Sequence, residues 1–235
     1  MNKTCVLIGM VTLLPVFSAS AATLDFREEY KHEQQDWAGR IKIGGSAGNH
    51  FFGVELKHTG NLSELESGDN EFEYGYKYTF TDHLLAKPGM VITFGDGNTT
   101  YKPQIRFEYA FDNGITTKIR YRHEFRNYAA GKTSTGRDGE QHDALNRTKI
   151  TGNLTYQWEA IQLDFEVNYA EDLFSKEWKM GNNDTYEWDY NLKIGYKMST
   201  KWRPYVEFGN IQCTSSTDCD SPRQLRSRVG VTYSF

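Results

Sequence analysis

After residue 17 the 235-residue chain has no apolar run long enough for a membrane helix, which takes about 20 residues. A membrane protein of this sequence would have to be a barrel. Cysteine is scarce too: Cys5, Cys213 and Cys219 are the only three. No His, Cys and acidic residues fall at zinc-ligand spacing, and there is no phosphate loop or dinucleotide fingerprint. No cofactor or metal is expected. Basic residues are not in excess, since the formal charge is −4, which argues against nucleic acid as a partner. Five prolines in the whole chain leave room for many long strands.

The two ends carry signals. Lys3 opens a basic region, Val6 to Phe17 form an apolar stretch interrupted by Gly9 and Pro15, and Ala19-Ser20-Ala21 fits the small-x-small cleavage rule. Residues 1–21 therefore read as a secretory signal, with a mature protein from Ala22 to Phe235. Cys5 would leave with it. At the other end Leu225, Ser227, Val229, Val231, Tyr233 and Phe235 share one face, and Arg226, Arg228, Gly230, Thr232 and Ser234 the other. Such period-two alternation makes a strand with two unlike faces, and a final aromatic is typical of outer-membrane barrels.

Composition hides this, because a mean hydropathy of −0.68 and 25% charged residues describe an ordinary soluble domain. Barrel strands conceal their apolar half by alternation. The 15 Tyr, 14 Phe and 5 Trp suit aromatic girdles. Alternation predicts twelve strands, at 23–32, 37–46, 50–58, 71–80, 88–95, 101–111, 115–128, 146–158, 160–169, 185–197, 201–209 and 225–235. Gaps after even-numbered strands are short, among them Asp112-Asn113-Gly114, a tight hairpin signal; several gaps after odd-numbered strands are long. That phase predicts an all-β, antiparallel up-and-down transmembrane barrel of residues 22–235 in one domain, with both termini in the periplasm. A secreted β-sandwich also alternates, but has no need of a terminal aromatic or of alternating connection lengths.

With the apolar face outward, the other face lines a narrow lumen. The seventh strand is then the most informative, because Lys118, Arg120, Arg122, Glu124 and Arg126 all point inward. The eighth adds Arg147 and Lys149, and the sixth Lys102 and Arg106. Across the ring the second and third strands give Arg40, Lys42 and Lys57, and Arg226 and Arg228 of the twelfth meet Arg27 of the first by closure. Acids point inward as well: Glu29, Glu55, Glu71, Glu73, Glu108, Asp164, Glu166, Glu187, Asp189 and Glu207. On one reading the cations pair with these carboxylates to stiffen the wall. On the other, guanidinium groups left unpaired form ladders for anionic groups on a solute, many weak sites in series that let a polyanion pass. The polar stretch Cys213 to Cys219 reads as a loop stapled by a local disulfide in an oxidising compartment.

Three segments carry a resemblance: Ala22-Thr-Leu-Asp-Phe-Arg-Glu-Glu-Tyr30, Lys118-Ile-Arg-Tyr-Arg-His-Glu-Phe-Arg126 and Arg228-Val-Gly-Val-Thr-Tyr-Ser-Phe235. The chain resembles the small monomeric oligogalacturonate-specific porins of the KdgM type, which also include a sialic-acid-inducible porin. The resemblance implies a twelve-stranded monomer in the outer membrane, its arginine tracks facing each other across the lumen, and acidic oligosaccharides from pectin breakdown as cargo. Arg120, Arg122 and Arg126 would form one track, and Arg27, Arg40 and Arg226 or Arg228 the other. Another acidic sugar, such as sialic acid, is the alternative cargo.

A barrel enzyme is the competing class, with His142-Asp143 or His32 as candidates near the external rim. Adjacent loop residues do not orient one another as a base and its carboxylate must, and no serine motif accompanies them. His58 and His123 fall at loop ends or the lipid interface by parity, and His50 and His83 at turns. Asp69-Asn70-Glu71 could touch calcium, although a solvated loop accounts for it equally well.

Overall fold

The computed structural model describes residues 21–61, 63, 66–136, 138–172, 185–213 and 221–235. Twelve long strands make the wall: β1 (Ala21–Lys31), β2 (Asp36–Ala47), β3 (His50–Thr59), β4 (Asn70–Tyr76), β5 (Leu84–Gly95), β6 (Asn98–Ala110), β7 (Ile115–Tyr128), β8 (Ala144–Trp158), β9 (Ile161–Glu171), β10 (Tyr186–Tyr196), β11 (Trp202–Gln212) and β12 (Arg223–Ser234). Each pairs antiparallel with the next, and β1 pairs with β12 through a register running from Thr23 opposite Ser234 to Lys31 opposite Arg226. The sheet is therefore a closed barrel. The last residue helps to seal it, with Phe235 N–H donating to Ala22 O at 3.1 Å. Closure leaves no sheet edge exposed, which is what permits strands in a hydrocarbon solvent.

Alternation sets the two surfaces. Ile119, Tyr121 and Phe125 of β7 stand out from the wall, Ile119 at 56% exposure, and so do Phe72 and Tyr74 of β4, Leu192 and Ile194 of β10 and Val229 of β12. A wall this apolar outside and charged inside has lipid for its outer solvent. Aromatics gather toward both strand ends, where Trp37 meets Tyr30 at 4.8 Å between ring centroids and Trp202 meets Tyr233 at 4.7 Å. These are cross-strand pairs at the depth of interfacial girdles.

The connections follow the same plan. At the end carrying both termini the turns are tight: Gly48-Asn49, Asp112 to Gly114 and Glu159-Ala160, with Gly48, Glu159 and Gly114 at φ +57°, +50° and +82°. The opposite end carries the longer connections, including residues 129–143, which fold into a small hairpin of Ser134–Thr135 against Gln141–His142. Two connections at that end are tight as well, residues 32–35 and Asp96-Gly97.

Prolines explain where the strands depart from the predicted bounds. The fifth strand starts at Leu84 rather than residue 88, because Pro88 lies inside it, opposite Ile105. Lacking an N–H, Pro88 breaks the ladder to its other neighbour. β4 accordingly stops at Tyr76 and resumes only at Tyr78–Thr79, in the same register. Pro103 interrupts the β6–β7 pairing in the same way, between Tyr101 opposite Phe125 and Gln104 opposite Arg122.

Polar pairs also lie on the outer wall, His123 with Thr148 at 3.1 Å among them. Glu28 of β1, 8% exposed, accepts from His58 Nε2 of β3 at 3.0 Å across β2. Gly39 makes the crossing possible, since a Cβ there would fall 2.3 Å from His58 Nε2 and 2.6 Å from Glu28 Oε1.

Candidate functional site

The side chains alternating with the exposed apolar ones face the barrel interior, and register decides what each of them meets. On β7, Arg122 lies 2.5 Å from Glu124 Oε1. Arg147 of β8 reaches the other oxygen of the same carboxylate at 2.8 Å and Glu187 of β10 at 3.3 Å. Glu124 is 1% exposed, clamped between two guanidiniums because Arg147 sits directly opposite it in the ladder. The buried carboxylate ties β7 to β8, and Arg147 carries the link on to β10.

Much of the remaining charge is tied up likewise. Arg40 bonds Glu55 at 2.9 Å and Asp25 at 3.2 Å, and Lys42 bonds Glu73 at 3.3 Å. Lys57 and Lys102 converge from either side on Glu71 Oε1, at 2.9 and 2.8 Å. Glu71 is therefore a wall residue between two lysines, and not part of a calcium loop. Arg228 bridges Glu29, at 2.6 Å, and Glu207. Arg226 donates to Asn191 at 2.7 Å and lies 3.8 Å from Glu29. Arg126 donates to Thr100 Oγ1 at 3.3 Å.

Several inward cations have no carboxylate within ion-pair distance among the described residues: Arg27, Lys118, Arg120 and Lys149, and also Lys193, which lies over the Tyr205 ring, and Arg203, which donates to Gln162. Arg120 donates to the Thr151 hydroxyl at 3.0 Å. Arg27 lies directly opposite Arg40 and Gly230 in its two ladders, and its Nε is buried without a hydrogen-bond partner. Arg106 is nearly as free, with a single 3.7 Å approach to Glu108, which already accepts twice from Lys87, at 3.0 and 3.1 Å. Arg27 on β1 and Arg120 on β7 are six strands apart in a ring of twelve, on opposite walls. Some inward carboxylates are uncommitted in the opposite sense, among them Asp189 of β10, which accepts from the Gln212 amide at 3.2 Å. Asp164 and Glu166 of β9 are held by amides and a hydroxyl, from Asn153, Thr155, Asn168 and Asn191, with no cation within ion-pair distance among the described residues.

Each of the two candidate histidines has a partner other than an adjacent loop carboxylate. His142 bonds Asp138, at 2.9 Å, rather than the neighbouring Asp143, and His32 contacts the Ser227 hydroxyl at 2.9 Å. The His142 hydrogen bond, with the Glu140 amide next in effect, holds the Asp138 carboxyl below its usual range. Among the described residues no group of three His, Cys or acidic side chains could hold a metal. Cys213 is buried and disulfide-bonded; Cys219 lies outside the described residues.

Sequence parity did not single out Phe51, which lies on the interior face of β3, opposite Ser46 and Gly75 in its two ladders. Its only sequence signal is its position two residues before Gly53 in an otherwise charged inward series.

A closed barrel with an apolar exterior and a charged bore belongs to the class of outer-membrane channels. A family model described as "Oligogalacturonate-specific porin protein (KdgM)" matches residues 16–235. The oligogalacturonate-specific porin KdgM of Dickeya dadantii (strain 3937) is 30% identical over 244 residues, covering 97% of this chain and 99% of the relative. An uncharacterised protein, YiiY, of Salmonella typhimurium is 30% identical over 241 residues, 97% of each chain. Among solved structures, the NanC porin aligns with a TM-score of 0.77 at 18% identity, covering 89% of this chain and 98% of that one. A KdgM porin in complex with disordered oligogalacturonate aligns at 0.66 and 23% identity, covering 91% and 99%. The chain belongs to the KdgM family of porins, and it is a porin of the bacterial outer membrane.

Proposed function

We propose that the barrel is a narrow, anion-preferring channel for acidic oligosaccharides, with oligogalacturonates as the first candidate, and that it works as a monomer without enzymatic activity. The observation that carries this is the pair of guanidiniums left without carboxylates on opposite walls, Arg27 and Arg120. A charged bore tends to neutralise itself, as most of this one does. An arginine kept unpaired retains its planar fork for a carboxylate that arrives from outside. Lys118, Lys149 and Arg106 extend the β7 side into a series of weak sites, each able to hand a uronate to the next. The ion-paired Arg40, Lys42, Lys57, Lys102, Arg122, Arg147, Arg226 and Arg228 hold the wall and shape its field. The substrate class named for the Dickeya relative agrees with this chemistry. Residues 1–21 act as a cleaved signal, both termini lie in the periplasm, and Cys213 pairs with Cys219.

Planar-bilayer recording tests the reading. The wild-type channel should prefer anions and be blocked transiently by oligogalacturonate, and the R27Q/R120Q double variant should lose most of that block while remaining folded. A silent protein, or one that prefers cations, would refute the proposal. Blocking by sialic acid but not by oligogalacturonate would assign the other acidic sugar.

A further inference from the structure

Phe51 is a large aromatic ring on the charged inner wall, and the wall is shaped to receive it. In the ladder Phe51 stands opposite Gly75, and Gly75 opposite Gly89. Two glycines side by side leave a trough with no side chains, and the ring lies along it. A Cβ on Gly75 would fall 2.2 and 2.6 Å from ring carbons Cζ and Cε1, and one on Gly89 would sit 3.4 Å from Cζ. Both positions alternate with outward side chains such as Tyr74 and Met90, so the ring covers the trough from the lumen side. Phe51 is only partly buried. With its back against the backbone, its remaining accessible surface is turned to the bore.

The surroundings supply a second kind of contact. Arg106 on β6 is the diagonal neighbour of Gly89, one ladder step beyond Gln104. Its single carboxylate contact is the 3.7 Å approach to Glu108, an acid that Lys87 already holds through both oxygens. An aromatic face and a lightly committed guanidinium thus share one inner wall, three strands apart across the glycine trough.

We propose that Phe51 and Arg106 form a uronate subsite in the half of the lumen nearer the termini, in which the C–H face of a pyranose ring stacks on Phe51 while its carboxylate meets Arg106. This deepens, and rests on, the proposed transport of acidic oligosaccharides. The subsite gives the channel what a string of cations lacks, because arginines alone do not distinguish a uronate from an inorganic anion. A flat apolar ring recognises the sugar itself.

Single-channel block by trigalacturonate tests this in wild type and in the F51A, F51L, F51Y and R106Q variants, each first checked for the folded barrel by heat-modifiable gel mobility. F51A and F51L should shorten each blocking event about 2- to 10-fold, the range that loss of an aromatic contact gives, with the anion-to-cation permeability ratio unchanged. F51Y should keep events within twofold of wild type. R106Q should shorten events and also lower anion permeability. Wild-type block times in F51L would overturn the proposal, because F51L keeps the apolar filling and removes only the aromatic face; should F51A not fold, F51L and F51Y decide. Normal block in wild type with unaffected Phe51 variants refutes the subsite and leaves the transport reading standing. A wild-type channel that neither trigalacturonate nor sialic acid blocks refutes both.

Discussion

Replacing Glu124 by Gln should be the most damaging conservative change in the bore. The carboxylate is 1% exposed and lies 2.5 Å from Arg122 and 2.8 Å from Arg147. Glutamine keeps the shape and one acceptor but removes the charge that two guanidiniums share. Hydrogen bonds to charged groups contribute about 1.5–3 kcal/mol each, and breaking a buried ion pair costs about 3–5 kcal/mol when its partner stays buried. Arg122 and Arg147 retain 13% and 19% side-chain exposure to the bore, so water recovers part of that loss. The expected destabilisation is about 3 kcal/mol. Reversible urea unfolding in lipid vesicles would read it as a lower midpoint at constant slope. Exposed Glu140 in the β7–β8 loop is the control, since E140Q should stay within about 0.5 kcal/mol. E124Q should also raise anion preference, because one negative charge leaves a wall already carrying Arg122, Arg147 and Lys149. Stability of E124Q within about 0.5 kcal/mol of wild type would refute the clamp.

Three further outcomes are expected. R228Q leaves Glu29 and Glu207, both 8% exposed, with only the longer contacts to Arg226 at 3.8 and 4.0 Å, and should cost about 3 kcal/mol while moving selectivity toward cations; R27Q, which breaks no ion pair, should weaken anion preference with stability nearly unchanged, and the two are separated by combining urea unfolding with reversal potentials. G39A should destabilise by about 1–3 kcal/mol, because the new methyl group meets His58, Glu28 and the Arg27 carbonyl at 2.3, 2.6 and 2.8 Å; an unchanged unfolding midpoint would refute the tight crossing. The depressed Asp138 carboxyl contributes to loop order above its ordinary pKa, and that contribution is lost as pH falls through the lower folded value. H142A should therefore return the Asp138 titration to the usual range, as followed by carboxyl carbon NMR, and an unmoved titration would refute the contact.

The lower permeability of the sequence to some features has identifiable causes. Alternation made the twelve strands visible because each side chain answers to one of two solvents, and the terminal run from Leu225 to Phe235 displays both in eleven residues. Pro88 blurred the start of β5, since local rules discourage a proline inside a strand and only the pairing with Ile105 shows that this one is accommodated. Glu28 and His58 occupy the outer face at a depth where parity calls for apolar residues. Their contact over Gly39 exists because three strands bring positions 28, 39 and 58 together. Phe51 fell on the inner parity and was passed over there, since nothing local links it to Gly75 and Gly89.

The sequence alone determined the periodicity of the strands, and with it the kind of solvent each face meets. It could not say which arginine is free. Partner choice depends on the stagger between strands, which places Glu124 opposite Arg147 and sets Arg27 beside Arg40 and a glycine. That stagger is fixed only when the ring closes, because closure selects one register for all twelve strands at once. The balance between a wall that binds its own charges and a bore that keeps some for a solute is therefore a property of the closed barrel.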